Sequence, residues 1–444
     1  MTAAERAPSA HPSAECPPKP AHRDGNVLRW LSAYAASMVG DSIYFLALGW
    51  AAAQVAGPAQ VGLVMAVGAV PRALLMLGGG VVADRFGPRK VVIGSDAARC
   101  AVILAAAAVL WLATPGLWLL VVLALAFGVV DALFMPAVGA LPPRITGPGE
   151  LVRVQGFKAF VERFGRLAGP PIAGVALGVG GPETAFAAAG VLFAASLVLL
   201  VAVRIAPLPP DGRDAATAEP ATPWRDLVDG LRYIRRHPVV GPLVVSGAIS
   251  QLGIVPPLSV GLVLLGDERG WSPAGIGLIL SAMAVGAGAS TLGLAVAGRM
   301  PRAGAVTTVT LVVASVLIGV IGVMPTVPGA AAVALAAGLV SGVCGGVSAT
   351  LIQVNTLPAY LGRVSSVMAF TYVGLAPLAF PLCGWATGVW GAGPVFLVGG
   401  AISMSAAFIG VFVRPVWRAE LAGPGKGANA GSSGEPGRVA DVRQ

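Results

Sequence analysis

Six ionisable side chains stand inside apolar stretches of this 444-residue chain: Asp41, Arg72, Asp131, Glu162, Arg163 and Arg166. A charge at mid-bilayer costs ~2.5–3.5 kcal/mol on the insertion scale, so it usually has a partner and a purpose. Carboxylates beside guanidinium groups can exchange protons. Burial favours the neutral acid and a neighbouring Arg favours the carboxylate, so a balanced pair can trade a proton near physiological pH. Counted from one membrane edge, all six fall in one layer, within ~6 Å at the helical rise of 1.5 Å per residue. Asp41 is the first candidate for the titrating group and Asp131 the second. The expected pairs are Asp41–Arg72 and Asp131 with Arg163 or Arg166; the alternative is that these pairs are purely structural. Later apolar runs carry no Asp, Glu, Lys or Arg in their interiors, so any ion coupling is expected in the first half.

Other chemistries find no support. The cysteines Cys16, Cys100, Cys344 and Cys383 are scattered, with no C-x-x-C spacing and no nearby His cluster. They read as small apolar fillers, with no metal site and no disulfide framework. Catalytic signatures are missing too: no H-E-x-x-H, no G-x-S-x-G and no two-carboxylate spacing within a span. Without a P-loop the chain does not use ATP itself. No enzyme and no cofactor are expected.

A bundle of membrane helices could hold such residues in register. Hydrophobic residues make up 56% of the chain and charged residues 11%, about half the charge of a soluble domain. Twelve apolar runs of spanning length are separated by turn residues: 28–53, 60–83, 91–113, 117–140, 153–178, 184–204, 240–264, 273–297, 304–325, 329–354, 364–388 and 393–413. Lipid cannot satisfy open backbone groups, and no alternating barrel pattern is present, so each run is a helix. The fold class expected is an all-α membrane protein with twelve transmembrane helices in two six-helix pseudo-symmetric bundles.

The formal charge of +9 could mean nucleic-acid binding in a soluble protein. Here the positive-inside rule accounts for it. With the N-terminus inside, the inner loops hold Arg85, Arg89, Lys90, Arg144, Arg213, Arg225, Arg232, Arg235, Arg236, Arg299, Arg302 and Arg363, and the outer loops hold Arg269 alone. That places both termini in the cytoplasm and the chain in the plasma membrane. Residues 1–26 and 415–444 read as disordered cytoplasmic tails; the first lacks the layout of a secretory signal. Bundles are expected at 27–205 and 239–414. The linker at 206–238 ends in a candidate amphipathic helix, with Trp224, Leu227, Val228, Leu231 and Ile234 opposite Arg232, Arg235 and Arg236. Such a helix suits the anionic inner leaflet. A weak repeat supports the division. "LPPRITGPGELVRVQGF" and "LPAYLGRVSSVMAF" each join a fourth span to a fifth, as in carriers built from parallel six-helix repeats.

The loop after the second run, Gly80-x-x-x-Asp84-Arg85-x-Gly87-x-Arg89-Lys90, resembles the G-x-x-x-D-R-x-G-R-R signature of the major facilitator superfamily. Pro88 stands where a basic residue is common. The resemblance implies that Gly80, Asp84, Arg85, Gly87, Arg89 and Lys90 form a conformational latch. Asp96 and Arg99, one turn apart beyond it, read as an ion pair supporting that latch. "GRLAGPPIAG" (165–174) resembles the superfamily's antiporter motif through Gly165, Gly169, Pro170 and Gly174, with Ala173 replacing one glycine. That motif implies export by exchange. "GDSIYFLALGW", "SDAAR", "FMPA" and "YLGRVSSV" resemble the macrolide-efflux-like and siderophore-exporter-like branch of multidrug exporters. The resemblance runs over residues 28 to 413.

Together these imply a secondary transporter that exports amphiphilic small molecules by proton antiport. Its partners would be the cargo, protons and the bilayer, with no nucleic acid, and it is expected to be a monomer. Tyr44, Phe134, Gln251 and Gln353 are the candidate cavity residues. A second half with few hydrogen-bonding groups suits a bulky, partly hydrophobic cargo. The competing expectations are an importer of the same superfamily and a membrane sensor that keeps the fold without transporting.

Overall fold

The computed structural model describes residues 21–113, 116–204, 223–297, 302–357 and 360–419. Both expected tails, apart from a short stretch at each inner edge, and the linker up to residue 222 lie outside the described residues, as do the surroundings of Gly80 and the side chain of Asp84. Among the described residues the regular structure is helical throughout. Ten helices are long and apolar enough to cross a membrane.

Helix ends follow local chemistry. Asp24 caps span one (Gly25–Val55) by accepting from the Asn26 amide at 2.8 Å. Span two (Pro58–Phe86) stops at Gly87, whose φ of +85° suits a residue without a Cβ, and Pro88 starts span three (Pro88–Leu112). Span four is Leu117–Gly139.

Two further crossings hide in irregular helices. Leu151–Val201 is 51 residues long, which at 1.5 Å per residue is ~75 Å, far more than one bilayer needs. Its backbone leaves helical geometry at Gly180 and Gly181, dividing it into spans five and six. Pro170 and Pro171 stay within helical geometry. Gly181 has φ +75°, so Gly181→Ala should cost about 1–2 kcal/mol, read as a lowered unfolding midpoint with little change in helix content. Span eleven is Leu361–Phe370, a π turn at Thr371–Leu375, a short turn Ala376–Leu378 and then Phe380–Trp390. Pro377 and Pro381 cannot donate amide hydrogen bonds there. Span seven carries a π turn at Pro257–Gly261 between Val240–Pro256 and Leu262–Glu268. Spans eight (Pro273–Ala297), nine (Ala303–Ile321), ten (Val327–Val354) and twelve (Ala392–Phe412) are continuous.

The two six-helix halves meet along two crossings of small residues. Gly62 on span two lies against Phe380 and Gly384 on span eleven. Gly174 on span five lies against Pro273 and Ala274 on span eight, and Gly277 lies against the Pro170 carbonyl. A third contact sets Gly49 of span one on Val263 of span seven. All these residues sit toward the ends of their helices remote from the chain termini. Farther along, Gly156 on span five and Gly288 and Gly293 on span eight have nothing beside them within 4 Å. The halves are therefore closed on each other at the end remote from the chain termini.

Arg269 at the closed end donates to the Met324 and Gly322 carbonyls. Glu268 beside it accepts from the Ala392 amide at 3.0 Å. Arg269 and Glu268 together thus tie three loops of the second half.

Candidate functional site

Arg99 is the centre of the buried charge. Its guanidinium donates to Asp41 and Asp131 at 3.1 Å each through Nη1, and to Asp96 at 2.6 Å and Ser37 at 2.8 Å through Nη2. Spans one, three and four are joined through this one side chain. Span two joins through Arg72, whose Nε lies 2.7 Å from Asp131 Oδ2. Phe134 and Phe193 cover the Arg99 guanidinium at 3.7 and 4.8 Å, a cation–π cage that excludes water. Arg99, Asp96 and Asp131 are fully buried, and Asp41 retains 8% of its surface.

This differs from the pairing expected. Asp41 pairs with Arg99 rather than Arg72, and Asp131 pairs with Arg99 and Arg72 rather than Arg163 or Arg166. Asp96 and Arg99 belong to this network, not to a separate pair beside the loop. The physical reason is length: span three starts at Pro88, so Arg99 lies eleven residues, or ~16 Å, along it. Glu162 forms a separate cluster, accepting from Lys158 at 2.8 Å and from Tyr34 at 2.7 Å. Arg163 and Arg166 are exposed.

Three carboxylates and two guanidinium groups make up the network, so it carries one negative charge when all are ionised. One proton balances it. Asp41 contacts one guanidinium where Asp131 contacts two, and it alone of the three carboxylates keeps any exposed side-chain surface.

Beside the network lies a cavity of about 510 Å³ between the two halves. Ser42, Phe45, Met65, Arg72 and Arg166 line it from the first half, and Leu258, Ser259 and Phe380 from the second. Arg72 therefore faces both ways, to Asp131 on one side and to the cavity on the other. The wall is otherwise apolar, with the π turn of span seven contributing Leu258 and Ser259 to it.

The four expected cavity residues are absent from this lining. Tyr44 is buried within the first half, its ring 3.8 Å from that of Phe127. Phe134 lies under Arg99. Gln251 does not reach the cavity, and Gln353 lines a separate crevice with Ser365 and Met368. Ser42 and Phe45, one turn or less from Tyr44, hold the cavity face instead. Helical phase separates them, and the sequence gives no apolar/polar contrast to set that phase.

The Gly165, Gly169, Pro170, Gly174 set has a double task. Gly165 lies against Met38 and Gly169 against Ser42 on span one, whereas Pro170 and Gly174 meet span eight across the halves. In the loop after span two, Arg89 donates to the Val201 carbonyl at 3.1 Å, tying it to the end of span six. Arg85 and Lys90 are exposed. The second half has hydroxyls where the first has charge: Ser250 and Ser315 each hydrogen-bond Ser403, at 3.1 and 2.8 Å.

Two six-helix halves, closed on each other at one end around an apolar cavity beside buried charge, define a multi-pass membrane transporter of small molecules, not an enzyme. The chain belongs to the Major Facilitator Superfamily, whose model matches residues 30–381. It is 27% identical to the enterobactin exporter EntS of Escherichia coli O127:H6 over 311 residues, 69% of this chain and 72% of that one. In fold it is similar to the nucleoside transporter NupG, with a TM-score of 0.64 at 12% identity over 88% of this chain and 99% of that one. A bacterial homologue of the human lysosomal transporter Spinster, inward-facing and unoccupied, superposes with a TM-score of 0.66 at 12% identity, over 89% and 96% of the two chains.

Proposed function

We propose that the protein exports amphiphilic small molecules from the cytoplasm in exchange for protons, with both termini cytoplasmic. The single observation that carries this reading is the net negative network joined to the cavity wall through Arg72. With the termini inside, the closed end faces outward and the cavity is reached from the cytoplasm, where cargo would enter. The likeness to proteins named as exporters supports the direction.

The coupling runs through shared hydrogen bonds. Arg99 Nη1 divides itself between Asp41 and Asp131. A proton on Asp41 removes one acceptor, and Arg99 shifts to Asp131. Asp131 then holds Arg72 less tightly, and an unpaired guanidinium turns toward the cavity. A bare cation in an apolar site demands water, so it expels lipophilic or cationic cargo. Cargo and proton thereby exclude each other, as exchange requires.

The test uses a lipophilic fluorescent dye in cells with and without the chain, before and after the proton gradient is collapsed, and then in vesicles. Wild-type protein should lower dye accumulation only while the gradient stands. Dye affinity should fall as pH falls through the range in which the network takes up its proton. Asp41→Asn, fixed in the neutral form, should fold normally, bind dye independently of pH and lose gradient-driven transport. Full gradient-driven transport by Asp41→Asn removes Asp41 from the scheme, and dye accumulation raised by the chain favours an importer.

A further inference from the structure

The helix before span seven forms one wall of a second cavity, separate from the cargo site. Helix Pro223–Arg236 is fixed on one side. Tyr233 stacks on Tyr360 at 4.5 Å, Gly230 lies against the Arg363 backbone, and Ile234 is buried. His237 Nδ1 accepts from the Val239 and Val240 amides at 3.2 and 3.1 Å, turning the chain into span seven. Gly241 permits the turn by lying against the Ile234 carbonyl.

In the angle of that turn is an open groove of about 500 Å³, between this helix, span seven and span twelve. Its walls are Leu231, Ile234, Pro242, Val245 and Ile409, and its one charged member is Arg235. Leu231 and Arg235 are four residues apart and so share a helix face. Leu231 is 57% exposed and Val245 49% exposed. Arg235 is exposed too, and no ion pair engages it among the described residues. By contrast Arg232 reaches Asp229 at 3.7 Å, on the other face with Tyr233 and Tyr360. The groove therefore has an apolar wall and one free guanidinium. It sits where the spans leave the bilayer on the terminus side.

We infer that this groove binds one anionic phospholipid, the phosphate on Arg235 and an acyl chain against Leu231, Val245 and Ile409. Charge complementarity selects the occupant. A guanidinium presents a fork of donors that matches phosphate oxygens, and a free phosphate has no use for the apolar wall. A bound lipid would bridge the connecting helix to span twelve and so hold it at the leaflet. This site is independent of cargo and of proton coupling.

The experiment is lipid retention by the full-length protein, purified from vesicles of phosphatidylcholine doped with phosphatidylglycerol and weighed intact by native mass spectrometry. Wild-type protein should retain one phosphatidylglycerol in preference to phosphatidylcholine. Arg235→Gln should abolish the preference between headgroups. Val245→Trp, which fills the groove and leaves the guanidinium, should abolish retention of either lipid. Arg232→Gln, on the opposite face, should behave as wild type. Retention unchanged in both Arg235→Gln and Val245→Trp overturns the site. So does displacement of the lipid by inorganic phosphate at matched concentration, which would mark a headgroup contact without a chain. Melting curves of each variant in phosphatidylcholine alone show whether the fold is kept.

Discussion

Arg99→Leu is expected to abolish transport and to sharply lower the yield of folded protein. It strips the donor shared by Asp41, Asp96 and Asp131, leaving three buried carboxylates to the single guanidinium of Arg72. Removing one partner from a buried ion pair typically costs about 3–5 kcal/mol, because the orphaned charge stays buried. Here three charges are orphaned or weakened together, against a stability that in most domains is only ~5–15 kcal/mol. Arg99→Lys should rescue little, since an ammonium lacks the planar fork that reaches Asp41, Asp131, Asp96 and Ser37 from two nitrogens. The decisive comparison is Arg99→Leu combined with Asp41→Asn, Asp96→Asn and Asp131→Asn. The combination removes Arg99 and its three carboxylates together and leaves only Arg72, whose side chain is partly exposed. Removing buried partners together costs far less than removing one of them, so the combination should recover much of the thermal midpoint and yield while remaining inactive. If Arg99→Leu alone melts like wild type, the network does not bear the charge assigned to it.

The same arginine shows where the sequence was legible and where it stopped. The twelve apolar runs gave the fold, because spanning a bilayer demands long apolar helices whatever their partners. Asp41, Arg72 and Asp131 stood out because charge within such runs is rare and costly. An apolar run that begins at residue 91, after the basic loop, puts Arg99 near the membrane edge. Gly87 and Pro88 begin it earlier, and counting from Pro88 puts Arg99 deep in the membrane. The Asp96–Arg99 pair was legible because both residues lie one turn apart on one helix, but the partners on other helices were not: whether Arg99 meets Asp41 or Asp131 depends on rotation about each axis. In helices as evenly apolar as Leu117–Gly139 no polar stripe fixes that rotation. The cavity residues of the second half escaped for a similar reason. Val255 and Leu258 of span seven and Ile276 and Leu280 of span eight line the cavity, yet in the sequence they look like any other lipid-facing aliphatic.

The glycine crossings lead to the other large effect. Gly277→Val and Gly384→Val, one at each crossing, should drive the protein out of the conformation seen here. A Cβ on Gly277 would stand 2.5 Å from the Pro170 carbonyl oxygen, and one on Gly384 would overlap the Pro58 carbonyl. These are backbone atoms, so no rotamer change relieves the clash and the helices must part. Overpacking of this kind costs about 1–3 kcal/mol per site. The cost falls on this conformation alone, since a state parted at these crossings has space for the methyl groups. At tenfold per 1.4 kcal/mol, each substitution should shift the balance between states by roughly 5- to 150-fold, and the pair by more. Met65 lines the cavity and reports the shift. With the four native cysteines replaced by alanine, Met65→Cys should react with a membrane-impermeant thiol reagent from the terminus side. Adding Gly277→Val or Gly384→Val should transfer that reactivity to the opposite side. Transport should fall in step, because a carrier held in one state cannot cycle. Unchanged labelling from both sides would mean that these crossings close nothing, and the cavity would then need another gate.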